Sequence, residues 1–343
     1  MLTPLFRISY VYSKSAIPYR KMDVCSSLGQ AISPFESVYD TISVMRILLT
    51  GATGLLGRAL RKQLLLIPNI ELTAAAYSRA VPPLVRADLT DSAQVESLFQ
   101  TARPDIVIHA AAERRPDIVD SQPEKARALN VTATETIASA CDRHKASLLY
   151  ISTDYVFDGS NPPYYPDSPV NPLNEYGRLK MEGERIIKNM CPKGAILRIP
   201  LLYGPVEFLE ECSVTELAKK LLGTSPVMVE HWAQRYPLHV GDVSRAIIAI
   251  TSAMRDFSEA FPIFLLSGPT PWTKYEMLLE MGRVFGKSTS HVIPDTAPPS
   301  GAPRPKDCRM DTSRIEALGY APQIEFGEGI KSAIQSFINP LMY

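Results

Sequence analysis

The chain lacks any excess of charge: its 343 residues carry 36 Lys and Arg against 36 Asp and Glu. Without a basic surplus, composition gives no reason to expect nucleic acid as a partner. Apolar runs of the roughly 18 residues needed to cross a bilayer are missing too, so no membrane span is expected. Cysteine is sparse and scattered. The five cysteines, Cys25, Cys141, Cys191, Cys212 and Cys308, never take the spacing of a metal knuckle or a redox CxxC, so no metal site is expected and a reducing compartment is favoured. No internal repeat or low-complexity tract occurs. What is there is a hydrophobic fraction of 45% in a chain long enough for one large α/β domain or two smaller ones.

Residues 1–22 carry Arg7, Lys14, Arg20 and Lys21, no acid, and several Ser and Tyr, which is loosely the composition of a mitochondrial presequence. A disordered extension, or a start codon ahead of the true one, accounts for the same stretch, because Met45 directly precedes the first convincing strand. On each reading residues 1–44 lie outside the core. The expected compartment is the cytoplasm, with the mitochondrion as the alternative that residues 1–22 leave open.

From Met45 the pattern turns regular: 45-MRILLTGATGLLG-57 reads as a buried strand, a glycine-rich turn and the start of a helix that continues through Leu66. Strands are predicted at 71–77, 105–112, 147–153 and 195–200, with helices at 91–102 (capped by Thr90 or Asp91), at 123–144 and around Tyr176. Strands alternating with helices imply βαβ units, hence an α/β Rossmann-type, doubly wound parallel sheet. After Pro200 the alternation loosens. The expected division is a dinucleotide-binding domain over 45–205 that also receives about 237–266, and a smaller α/β lobe from 206–236 and 267–343. The Pro-rich stretches 159–172 and 291–307 read as ordered loops around that lobe.

In 50-TGATGLLG-57, Gly51 permits a tight turn, Gly54 lets backbone approach a pyrophosphate, and Gly57 lets the helix pack on the strand, with Thr53 and Leu55 in the same cradle. The end of the second strand separates the two nicotinamide cofactors, since an acid there holds a ribose 2′-hydroxyl and an arginine accepts a 2′-phosphate. Ser78 and Arg79 stand there with no acid beside them, which favours NADP over NAD; a merely solvated Arg79 is the plainer alternative. Asp88 and Leu89 would then lie near the adenine, and Ala110, Ala111 and Ala112 beneath the nicotinamide.

Tyr176 and Lys180 share a helix face at i, i+4, so the ammonium can lower the phenol's pKa and hold a ribose hydroxyl, and the phenol can protonate an alkoxide. The same spacing recurs at Tyr10 and Lys14, outside the core. Position favours Tyr176, because Thr153 leaves the preceding strand at its carboxyl end, the ligand-binding edge of open α/β sheets. Glu113, Arg114 and Arg115 could reach an anion or form a solvated loop, and His231, Trp232, Arg235 and Tyr236 could line a cleft or simply pack. His109 is expected to be a satisfied core histidine.

Taken in order, the glycine turn, Asn130, Ser152–Thr153 and the Tyr176/Lys180 pair resemble the extended short-chain dehydrogenase/reductases from Met45 to about Phe337. The strings 151-ISTDYVFDG-159 and 172-PLNEYGRLKMEGE-184 look like the dTDP-4-dehydrorhamnose reductase branch, which reduces a nucleotide-linked 4-keto sugar with NADPH. That resemblance implies Tyr176 as acid, Lys180 as its tuner and ribose ligand, Thr153 as carbonyl partner, Asp154 as a neighbour shaping the pocket, and Asn130 as a cofactor-site residue or a helix tie. The strings 109-HAAAERRPDIVDSQPE-124, 231-HWAQRYPLHVGDV-243 and 304-RPKDCRMDTSRIEALG-319 are similar to the regulatory beta subunits of methionine adenosyltransferase. This likeness implies a protein that keeps the reductase fold, binds NADP, and associates with the catalytic subunit that makes S-adenosylmethionine; a regulatory role is favoured over turnover. The family's basic, aromatic C-terminal segment has no counterpart in 335-QSFINPLMY-343, which bears on docking and not on the fold.

Overall fold

The computed structural model describes residues 44–254, 257 and 261–339, so the readings placed on residues 1–43 and on the last four residues lie outside the described residues. In chain order the elements are β1 (Met45–Thr50), α1 (Leu55–Leu64), β2 (Ile70–Ala76), β3 (Val85–Arg86), α2 (Ser92–Ala102), β4 (Ile106–His109), α3 (Pro116–Ser121) and α4 (Pro123–Arg127). There follow a π-helical turn (Ala128–Thr132), α5 (Ala133–His144), β5 (Ser147–Thr153), α6 (Glu175–Met190), β6 (Gly194–Ile199), β7 (Leu202–Tyr203), α7 (Leu217–Leu222) and β8 (Val227–Glu230). The last are β9 (Leu238–His239), α8 (Val240–Ala253), β10 (Ile263–Leu265), α9 (Lys274–Phe285), β11 (Val292–Asp295), α10 (Ser313–Glu316) and α11 (Phe326–Ile338).

Seven strands form one parallel sheet in the order β10-β6-β5-β4-β1-β2-β3. The order reverses between β1 and β4, the topological switch point at which doubly wound sheets bind ligands. Both faces are covered, and the strand sequences show why they read as unbroken apolar runs. Ile47 and Leu49 pack with Leu56 and Leu60 of α1 and Ile247 of α8, while Leu48 faces the other way onto Val95, Phe99 and Ile137. Each fully buried Leu or Ile of this kind contributes about 1.5–3 kcal/mol.

The predicted helix over 123–144 is present but not uniform, because a wider π-helical turn interrupts it at Ala128–Thr132. The predicted strand over 105–112 stops at His109, which frees Ala110–Ala112 as a loop at the carboxyl edge. Asp91, not Thr90, caps α2, accepting from the amides of Ala93 and Gln94. The Pro-rich stretch 291–307 is not all loop: β11 pairs in parallel with β8, Ile293 beside Met228, and β7 pairs likewise with β9.

Candidate functional site

Gly51 leaves β1 with φ of 70°, and a Cβ there would stand 2.8 Å from the backbone of Ala110 and Ala111; one on Gly57 would stand 2.2 Å from the Gly51 carbonyl oxygen. Strand, turn and helix therefore meet where only hydrogen fits. Gly54 is the N-cap of α1 and offers no side-chain acceptor, so the first amides of the helix, beginning at Leu55, keep their donors for an anion.

Beside this turn lies a cavity of about 270 Å³ whose wall includes Thr53, Arg58, Arg61, Arg79, Leu84 and Glu207. Arg79 Nη2 donates to the Thr53 carbonyl at 2.7 Å, and Arg58 Nη1 donates to the same oxygen at 2.9 Å. Arg58 escaped the sequence reading, although its place directly after Gly57 was the available signal. Ser78 is exposed next to Arg79. Asp88 accepts from the amide and hydroxyl of Thr90, and Leu89 buries its side chain beneath α2, leaving its backbone for any ligand.

At the carboxyl end of β4 the amides of Ala110 and Ala111 donate to Thr50 Oγ, which also contacts His109 Nδ1 at 2.7 Å. Burial, aided by the Lys180 charge, brings the His109 pKa down to about 3, so the imidazole is a neutral link between Thr50 and Thr134. The half-buried Ala110–Ala112 loop is pinned by Asn130, whose amide accepts from Glu113 N at 2.8 Å and donates to Glu113 O at 2.9 Å. Asn130 thus uses both ends of its amide inside the protein. Of the next three residues, Glu113 pairs with Arg115, whereas Arg114 donates to the Glu211 carbonyl.

On α6, Asn174 caps the helix by accepting from Gly177 N at 2.9 Å. A Cβ on Gly177 would meet the Tyr155 carbonyl at 2.2 Å, so this glycine lets the helix press against the 3₁₀ turn that follows β5. The docking brings Tyr176 edge-on to Tyr155, with ring centroids 6.0 Å apart, and close enough to Thr153 for the two hydroxyls to influence each other. Thr153 donates to Asp154 Oδ1 at 3.0 Å and accepts from Tyr155 N at 3.2 Å.

The sequence reading has Lys180 lowering the Tyr176 pKa; the structure reverses the direction. Burial pushes the phenol up, Thr153 and Arg114 pull it back only in part, and Lys180 is turned toward the Tyr150 ring, 4.0 Å from its centroid. Burial also brings Lys180 down to about 7 against the pull of Glu184, and raises Asp154 to about 7. At neutral pH Tyr176 therefore keeps its proton and can donate it to an oxygen set between it and Thr153. Two flanking groups titrate near neutrality.

Beside Tyr155 stands a group of basic side chains, two of them ion-paired. Arg235, paired with Glu230 at 2.7 Å, and Arg304, paired with Asp117 at 2.9 Å, both act on Tyr155, and Lys274 is lowered to about 8 by burial and by those two arginines. Arg304 and Lys274 were not anticipated from sequence, where no spacing joins 235, 274 and 304. His231 instead bonds Thr273 at 2.8 Å, and Tyr236 is buried beside Asp307.

Fold and site together define a protein of short-chain dehydrogenase/reductase architecture. The family model of the RmlD substrate binding domain matches residues 45–339. Methionine adenosyltransferase 2 subunit beta of Xenopus tropicalis is 42% identical over 307 residues, 88% of this chain and 92% of the relative. A dTDP-4-dehydrorhamnose reductase from Clostridium acetobutylicum superposes with a TM-score of 0.74 at 27% identity, covering 85% of this chain and 99% of that one. The reductase of that name from Bacillus anthracis, solved in complex with NADP, shares the fold with a TM-score of 0.71 at 24% identity over 85% of this chain and 98% of its own. The chain belongs to the RmlD substrate-binding-domain family and, within it, to the methionine adenosyltransferase 2 beta subunits. Among the described residues no helix is long and apolar enough to cross a membrane.

Proposed function

We propose that the chain is an NADP-binding regulatory subunit that associates with a catalytic methionine adenosyltransferase and modulates S-adenosylmethionine synthesis. The observation that carries this reading is the 42% identity to a beta subunit across 88% of the chain. The residues fit a dinucleotide. The uncapped start of α1 with Gly51, Thr53, Gly54, Leu55 and Gly57 would hold the pyrophosphate, and Arg79 with Ser78 the 2′-phosphate. Asp88 and Leu89 would flank the adenine, and Ala110–Ala112, positioned by Asn130, would back the nicotinamide, whose ribose Tyr176 and Lys180 would hold. The bound group would supply hydride chemistry, which regulation does not require. The domain division drawn at 45–205 and the cytoplasm as compartment belong to the same proposal.

A second reading, NADPH-dependent reduction of a nucleotide-linked keto sugar, is favoured by the retained Tyr176, Lys180, Thr153 and Asp154. In it Tyr176 would give its proton to the carbonyl oxygen that Thr153 orients. The discriminating experiment mixes the protein with the catalytic methionine adenosyltransferase of the same organism and measures mass by size-exclusion chromatography with light scattering, with and without NADP. A joint peak supports the regulatory reading. Separate elution at micromolar concentrations, with NADPH oxidised on addition of nucleotide keto sugars, supports the reductase.

A further inference from the structure

We infer that Glu207 is a built-in occupant of the 2′-phosphate subsite, a side chain that decides how strongly the protein separates NADP from NAD. The inference rests on the dinucleotide reading above and extends it to a residue outside the glycine turn and the second strand. Glu207 follows β7 and lines the same cavity as Thr53, Arg58 and Arg79. Its Oε2 accepts from Arg79 Nη1 at 2.6 Å and lies 3.7 Å from Arg58 Nη1. An anion therefore already stands where a 2′-phosphate would be recognised.

The two arginines do not need Glu207 to keep their places. Arg79 is also held by the Thr53 carbonyl at 2.7 Å, and Arg58 by that carbonyl at 2.9 Å and by both oxygens of Glu211 at 2.6 and 2.7 Å. Glu207 is thus the exchangeable member of the cluster. A 2′-phosphate brings about two negative charges to the cations that Glu207 neutralises, so its binding displaces the carboxylate; a 2′-hydroxyl does not. Both partners of the Arg79–Glu207 pair are about half exposed, 47% and 53%, which makes the pair weak enough to exchange. The displaced residue is tethered through its amide to Glu211 Oε2 at 2.9 Å, and the Glu211 carbonyl receives Arg114 from the loop after β4. Occupancy of the adenosine end is thereby passed along residues 207–211 toward the cleft.

The test is calorimetric titration of the full chain with NADP and with NAD, for the wild type and Glu207→Gln, paired with hydrogen exchange over 204–211. The expected result is NADP binding tightened by roughly three- to ten-fold in Glu207→Gln with NAD unchanged. In the wild type, NADP and not NAD should alter amide exchange at 207–211. If both dinucleotides bind the wild type and Glu207→Gln leaves the NADP affinity unchanged or weaker, Glu207 is a positioning contact and the inference is overturned while the dinucleotide reading stands. Binding of neither dinucleotide to the wild type overturns both.

Discussion

The Lys180 ammonium lies 4.0 Å from the centroid of the Tyr150 ring, so a lysine only 3% exposed rests on a π face instead of an acid. Its acidic neighbour one turn on, Glu184, is engaged elsewhere, by Arg198 and Ser152. A π face offsets only part of the cost of burying the charge, which is why burial lowers the pKa to about 7.

That shift predicts a pH dependence. The folded-state pKa lies below the unfolded value, so between them the unfolded chain binds the extra proton, and stability rises with pH from about 7 toward about 10.5. Lys180→Met removes the term. Denaturant unfolding of both proteins should show the variant ahead by a few kcal/mol at pH 6, with the gap narrowing by about 1.4 kcal/mol per pH unit above 7. A gap that does not change with pH would mean that the amine titrates alike in both states.

Glu184 and Arg198 form a buried fork, Nε to Oε1 at 2.9 Å and Nη2 to Oε2 at 2.8 Å, with both side chains at most 4% exposed. It joins α6 to β6 beneath the Tyr176 helix. Glu184→Ala leaves the guanidinium uncompensated and should cost about 3–5 kcal/mol, whereas Glu184→Met with Arg198→Met should recover most of the loss. Equal damage from the single and double variants would show that packing, not charge, dominates the pair.

Gly177 has a harder constraint than its place in a helix suggests. A methyl group there would sit 2.2 Å from the Tyr155 carbonyl and 2.9 Å from Pro172 Cβ, so α6 must back away from the turn. Gly177→Ala is expected to destabilise by about 1–3 kcal/mol and to weaken dinucleotide binding, because Tyr176 moves with the helix. Gly223→Ala, whose Cβ would be 3.4 Å from its nearest neighbour, the carbonyl oxygen of Lys220, is the control expected to be near neutral.

How far the sequence revealed this depends on whether the signal is local. The glycine turn, the strands it joins and the cap at Asp91 or Thr90 are set by neighbours in the chain, and the parallel sheet follows from the alternation they begin. Asn130 stands out in the sequence only through the family resemblance, and its hold on Glu113 crosses 17 residues, which no periodicity announces. Arg58, Arg79 and Glu207 meet only because the chain returns 128 residues later. The Tyr176 pKa failed for a related reason: i, i+4 spacing puts Lys180 on the same face, while burial and the Tyr150 ring, one strand away, decide where its charge acts and what it costs.

Tyr176→Phe separates the two functional readings. The phenyl ring can keep its edge-on contact with Tyr155, so the fold and the helix docking should persist. What is lost is the hydroxyl, and with it the proton that burial keeps on the oxygen through neutral pH. Any NADPH-dependent reduction shown by the wild type should disappear in the variant. Modulation of the catalytic methionine adenosyltransferase should stay nearly intact, because the proposed regulatory role would draw on cofactor occupancy and docking surface and not on proton transfer. The measurement pairs a reductase assay with S-adenosylmethionine synthesis by the mixed subunits. Lost modulation with dinucleotide binding unchanged would place the Tyr176 hydroxyl inside the regulatory mechanism, contrary to the role proposed for it.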